Sequence, residues 1–132
     1  MKMKPRINYI SIATNDLQTS FIFYRDGLGL ATKGIKTSPE QHACFKLGNG
    51  LDLVLYDKKN LTGSRSFRSN VNEGSHFIIS HRADSKEEVD TILQKALGAG
   101  AVQIGQVKEE PWWYAVKFAD PDGHQWEIVW EA

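Results

Sequence analysis

The sequence predicts an α+β fold of two tandem strand-helix-three-strand (βαβββ) units, and three observations carry that expectation. Two helix starts of the same kind, Asn15-Asp16-Leu17-Gln18 and Ser85-Lys86-Glu87-Glu88, each follow an alternating apolar stretch and each run into glycines, Gly27 with Gly29 and Gly98 with Gly100. Three more strand-like runs follow each helix. Between the two sets, 58–74 is polar, with Asn, Ser, Gly and two arginines, and fits a connector joining units at about 5–57 and 75–132 within one domain. Either unit alone would leave a sheet face bare, so duplication is the physical reading of the pattern.

Ile7 to Thr14 reads as a strand, with Ile10 and Ile12 alternating against Tyr9, Ser11 and Ala13. The first helix takes Asn15 as its cap, with Gln18 reaching back, and Leu17, Phe21, Tyr24 and Leu28 recur at helical spacing. Leu30 to Lys36 is a weak strand pattern and His42 to Leu47 a better one. Gly48-Asn49-Gly50 is a hairpin signal leading into Leu51 to Tyr56, where Leu51, Leu53 and Leu55 oppose Asp52, Val54 and Tyr56.

The second unit opens with Ser75 to His81, which sets Phe77 and Ile79 against His76, Ile78 and Ser80. A helix capped by Ser85 and Glu88 carries the stripe Val89, Ile92, Leu93 and Ala96. Ala101 to Val107, Trp113 to Phe118 and Gln125 to Trp130 complete the strands. The last two are joined by Asp120-Pro121-Asp122-Gly123, where Pro presets φ and Gly supplies the turn's positive φ. Trp126, Ile128 and Trp130 then alternate with Glu127, Val129 and Glu131. Superposing the halves by pattern sets Tyr9 against His76 and the 51–55 strand against 126–130.

At 132 residues and 41% hydrophobic, the chain has the length of one domain with a conventional core. Sixteen basic residues cancel sixteen acidic ones, so no global field favours nucleic acid or an anionic membrane, and neither partner is expected. The single cysteine, Cys44, reads as a reduced core thiol. With no leader pattern and no apolar run of spanning length, a cytoplasmic location is expected.

Strand alternation puts the large apolar residues under the helices and Tyr9, Asp52, His76 and Glu127 on the other face. Carboxylates and an imidazole drawn from separate strands suit zinc, nickel, manganese or iron, and equally suit the polar lining of a cleft. Trp112, Trp113 and Tyr114 cannot all point one way, so at least one belongs to the cleft or to a partner surface. Arg65 and Arg68 in the connector are candidate clamps for an anion, against the plainer reading of solvated loop charges. His81 falls on the helix side of its strand, and His124 reads as a turn residue.

The opening Asn15-Asp16-Leu17 to Phe23-Tyr24-Arg25-Asp26-Gly27-Leu28-Gly29 and the close Asp120-Pro121-Asp122-Gly123-His124-Gln125-Trp126-Glu127 resemble the vicinal oxygen chelate superfamily. That superfamily includes glyoxalase I, extradiol dioxygenases, fosfomycin-resistance enzymes and bleomycin-resistance proteins. The resemblance covers essentially the whole chain and is specific for the fold rather than the reaction. It implies a symmetric homodimer and metal ligands on the first, fourth, fifth and last strands, which fall on Tyr9, Asp52, His76 and Glu127. Tyr9 replaces the usual histidine, and a neutral phenol binds divalent metals poorly. Asp52 stands where a longer Glu is common.

The function expected is therefore small-molecule binding in the sheet cleft, by Tyr9, Ser11, Arg65, Trp113 and Tyr114. Its metal site is incomplete or absent, with Asp52, His76 and Glu127 holding at most a weakly bound zinc, nickel, manganese or iron. The alternative is a metal-dependent enzyme of the glyoxalase I (lactoylglutathione lyase) or extradiol dioxygenase type, in which Glu127 is catalytic.

Overall fold

The computed structural model describes residues 2–38, 40–59 and 77–132. The first unit runs β1 (Tyr9–Thr14), α1 (Leu17–Ile22), β2 (Thr32–Lys36), β3 (His42–Gly48) and β4 (Leu51–Asp57). The second runs β5 (Ile78–Arg82), α2 (Lys86–Gly98), β6 (Val102–Glu110), β7 (Trp113–Ala119) and β8 (Gln125–Glu131). Each unit makes a four-stranded mixed sheet, in the orders β1-β4-β3-β2 and β5-β8-β7-β6. In each, the first strand lies parallel to the last and the other pairs are antiparallel. The connector lies outside the described residues except for its first two.

One core joins both units. Leu53, Leu55 and Phe45 of the first sheet pack with Phe21 and Tyr24, and Phe118, Trp126 and Ile128 of the second pack with Val89 and Leu93. Full burial of such side chains contributes roughly 1.5–3 kcal/mol each. Trp126, Ile128 and Trp130 share the helix side and Glu127 the other, as the alternation predicts.

Local chemistry departs from expectation in three places. The cap of α1 is Asp16, whose side chain accepts from the Thr19 N–H at 3.3 Å, rather than Asn15. Asn15 is spent elsewhere, since its N–H donates to Asp122 Oδ1 at 2.8 Å in the closing turn. Phe77 is half-exposed instead of lying under a helix, because β8 begins only at Gln125, opposite Ile78, and leaves no strand beside Phe77. Cys44 is only partly buried: it pairs with Val54 on the face away from the helices, so it lines a pocket rather than the core.

The halves are also offset from the pattern superposition. Ile10 pairs with Leu53 and Ile79 with Trp126, and the caps Asp16 and Ser85 stand equally far beyond Ile10 and Ile79. Tyr9 thus corresponds to Ile78 instead of His76, and Glu127 to Val54 instead of Asp52. The slip is two residues on each strand. With a side-chain period of two it leaves every residue on its predicted face but moves it about 7 Å along the strand.

The units are locked together by polar groups at their ends. Tyr24 donates to Asp120 Oδ2 at 2.5 Å, Trp126 Nε1 donates to the Tyr24 hydroxyl at 3.0 Å, and the N–H groups of Asp122 and His124 donate to Asp120 Oδ1. His124 Nε2 lies 2.7 Å from the Ala13 carbonyl oxygen. The C-terminal part of α1 widens into a π-helical turn over Phe23–Gly27, and both Phe23 and Tyr24 are buried there. Phe23 meets Phe118 edge-on with ring centroids 6.4 Å apart, so α1 serves both units.

Candidate functional site

Each sheet has one face under a helix and one open face, and the candidate residues sit on the open faces. In the first sheet β1 and β4 run parallel with Tyr9 beside Asp52. Tyr9 is 65% exposed, whereas the Asp52 side chain keeps only 14% of its surface. Lys46 of β3 reaches Asp52 Oδ2 at 3.4 Å. Tyr9, Asp52, Lys46, Asn8 and Leu51 line a cavity of about 460 Å³. Ser11, one step along β1, is exposed on the same face.

In the second sheet Glu127 of β8 stands between Ser80 of β5 and Lys117 of β7. The Ser80 hydroxyl donates to Glu127 Oε1 at 3.2 Å. Glu127, Lys117, Lys108, Trp113 and Ile104 line a separate cavity of about 210 Å³. A bulge in β6 between Ile104 and Lys108 opens the sheet there, with Gly105 at φ 71°.

Of the aromatic trio, Trp113 enters this pocket, Trp112 is exposed at the β6-β7 turn, and Tyr114 turns to the helix side. The Tyr114 hydroxyl donates to Asp90 of α2 at 2.7 Å, and that bond and partial desolvation push its pKa up to about 12. Tyr114 is therefore a strut between β7 and α2, and the ligand role expected for it is withdrawn. His81 pairs with Ile128 on the helix side, 3.9 Å from Glu88. His76, Arg65 and Arg68 lie outside the described residues.

Among the described residues, the side chains do not assemble a site for a divalent cation within one chain. Among the described residues no three His, Cys, Asp or Glu side chains stand together. Asp52 and Glu127 belong to different sheets and line different cavities. Asp52 already has Lys46, and Glu127 has Ser80.

Sequence reasoning missed Asp120 and Tyr24. Burial raises the Asp120 carboxyl pKa against the pull of its hydrogen-bond donors, and burial with the neighbouring Asp120 carries the Tyr24 hydroxyl well above its usual value. Neither lines the two cavities described above. Their signal was present, because Tyr24 belongs to the opening motif and Asp120 to the closing one, and the two motifs touch. Lys46, Ser80 and Lys117 were also missed, since single polar residues on an open strand face carry no pattern of their own.

A sequence profile of the Glyoxalase/Bleomycin resistance protein/Dioxygenase superfamily matches residues 6–128. No curated protein matches the chain in sequence. Among solved structures, a glyoxalase-related enzyme from Fulvimarina pelagi superposes with a TM-score of 0.81 at 25% identity, over 97% of this chain and 89% of that one. A lactoylglutathione lyase from Agrobacterium tumefaciens gives 0.69 at 23% identity, over 97% and 95%. A mutant of the fosfomycin resistance protein FosX from Listeria monocytogenes, complexed with manganese(II) and 1S,2S-dihydroxypropylphosphonic acid, gives 0.69 at 16% identity, over 96% and 90%. At those identities the last two likenesses speak for the fold alone.

Proposed function

The chain belongs to the Glyoxalase/Bleomycin resistance protein/Dioxygenase superfamily, and from that premise we propose that it binds a small molecule on the open faces of its sheets without a tightly held metal. The observation that carries this reading is Tyr9. It stands where the resemblance puts a histidine ligand, and a phenol is a hydrogen-bond donor with an apolar ring rather than a metal donor. Asp52 beside it is neutralised by Lys46 at 3.4 Å. A cavity of about 460 Å³ bounded by an exposed aromatic, an amide and an ion pair has the size and mixed lining of a small-ligand site.

The binding unit is a homodimer in this reading. Tyr9 and Ile78 hold equivalent places on the first strand of each sheet, and both are exposed apolar side chains on open faces. A second copy covering them also closes cavities that one chain leaves open, and stable interfaces of that kind bury roughly 1,600 Å². Sedimentation equilibrium at tens of micromolar protein is expected to return the dimer mass. A monomer there would remove the assembly from the proposal.

The enzyme alternative rests on Glu127, the residue that the resemblance puts at the family's last-strand ligand position. Thermal-shift screening separates the two readings. A compound that raises the melting temperature of chelator-treated protein, and no longer does so with Tyr9→Ala, supports metal-free binding through this face. A shift that appears only after manganese, nickel or zinc is restored would overturn it.

A further inference from the structure

A second open cavity on the first sheet is lined mainly by basic side chains. It measures about 450 Å³ and lies along β2 and β3, against Lys33, Lys36, Lys46, His42, Cys44 and Ala31. Among the described residues no carboxylate lines it, although acids and bases balance over the whole chain. Lys33 and Lys36 form no ion pair among the described residues, while Lys46 leans to Asp52 on the other side.

The backbone holds this cavity open. Gly34 takes φ 97°, and the β2-β3 register breaks between Thr32 and Ile35. The Thr32 hydroxyl pins the bulge by donating to the Cys44 carbonyl at 2.8 Å and accepting from the Gly34 N–H at 3.1 Å. A β-bulge bends its strand and re-aims the side chains flanking it. Here it sets two lysines of β2 beside the partly buried thiol of β3.

We propose that this cavity is the anion subsite of the cleft, taking the carboxylate or phosphonate end of a small amphipathic ligand between Lys33, Lys36 and Lys46. The apolar part of the ligand lies over Cys44 and Ala31. The inference deepens the reading of the cleft as a small-molecule site by naming the ligand class. Lys46 belongs to both cavities, so a ligand anchored here extends toward Tyr9 along the same face. Several cations around a half-enclosed apolar surface raise the local concentration of anions, an effect that salt weakens.

Cys44 is the chain's one cysteine, so its labelling reports on this cavity alone. The probes are two aromatic disulfides of similar size, the dianionic 5,5′-dithiobis(2-nitrobenzoate) and the neutral 4,4′-dithiodipyridine. In each case the Cys44 thiolate attacks the reagent's S–S bond, forms a mixed disulfide and expels one aromatic thiolate. The ratio of anionic to neutral rate is measured for the parent and for Lys33→Gln/Lys36→Gln, with and without benzoate.

The ratio is expected to fall about tenfold in the double variant, from two charges each worth a factor of about three at roughly 6 Å in water. Benzoate is expected to slow the parent and not the variant. An unchanged ratio, or a native protein that neither reagent labels, would overturn the proposal. A thermal shift by neutral aromatics with no anion preference would retire the anion subsite and leave the cleft reading standing, so the two fail separately.

Discussion

The two halves share one scaffold and differ in what fastens it and in what stands on its open face. Strand order, register and helix caps repeat between them. Where Tyr24 stands in the first unit, Leu93 stands the same number of residues past its own cap in the second, and both are buried. Yet Tyr24 reaches across to Asp120 while Leu93 packs in the apolar core. On the open faces, Tyr9 and Asp52 in one half answer to Ile78 and Gln125 in the other, and Glu127 answers to Val54. The period of the strands and the site of each cap repeat between the halves, and Ser11 is matched by Ser80, but the other open-face positions named here carry different chemistry.

The largest break in this comparison is expected at Asp120. Asp120→Ala strands two backbone N–H groups and the Tyr24 hydroxyl in the core, at a cost of about 3 kcal/mol in urea unfolding. Leu93→Ala, at the matching place in the second unit, costs a similar amount of about 3 kcal/mol through its cavity. The two are told apart by pH.

Asp120 has a raised pKa in the fold, so its contribution is full below the ordinary carboxyl value and is lost as pH climbs through the raised one. Parent stability measured against Asp120→Asn should therefore decline from about pH 4 upward. Tyr24 is raised above 10, so parent stability against Tyr24→Phe should decline again on passing that pH. Leu93→Ala should show neither slope. Flat differences for the Asp120 and Tyr24 variants would mean that the polar lock is not closed in solution.

A smaller effect is expected where the two helix ends meet. A Cβ on Gly27 would lie 2.5 Å from the Ala99 Cβ, just beyond α2, so this glycine is required by approach rather than by φ. Gly27→Ala is expected to cost about 2 kcal/mol, and Ala99→Gly in the same chain to recover most of it. No recovery would mean that the helix ends are not in contact.

Much of the fold was legible because it follows from periodicity and turn chemistry. The Gly48-Asn49-Gly50 hairpin, with all three residues at positive φ, and the Asp120-Pro121-Asp122-Gly123 turn were readable from residue type alone. Faces were legible for the same reason. The level along each strand was not, because a slip of two residues conserves the pattern, and so Tyr9 was matched to His76 and Asp52 to Glu127. The cap of α1 was misread because Asn15 and Asp16 are both good caps, and the choice is made by Asp122 capturing the Asn15 N–H. The lysines around Cys44 could not be grouped from sequence, since a bulge in β2 brings them together.

The central claim is that the open face retains the shape of a ligand site while Tyr9 has removed a metal donor from it. The direct measurement is metal per chain by mass spectrometry, on protein purified without chelator, for the parent, Tyr9→His and Glu127→Ala. The account predicts well under one equivalent in the parent, little change in Glu127→Ala, and a gain of zinc or nickel in Tyr9→His. Near-equimolar metal in the parent, lost in Glu127→Ala, would contradict it.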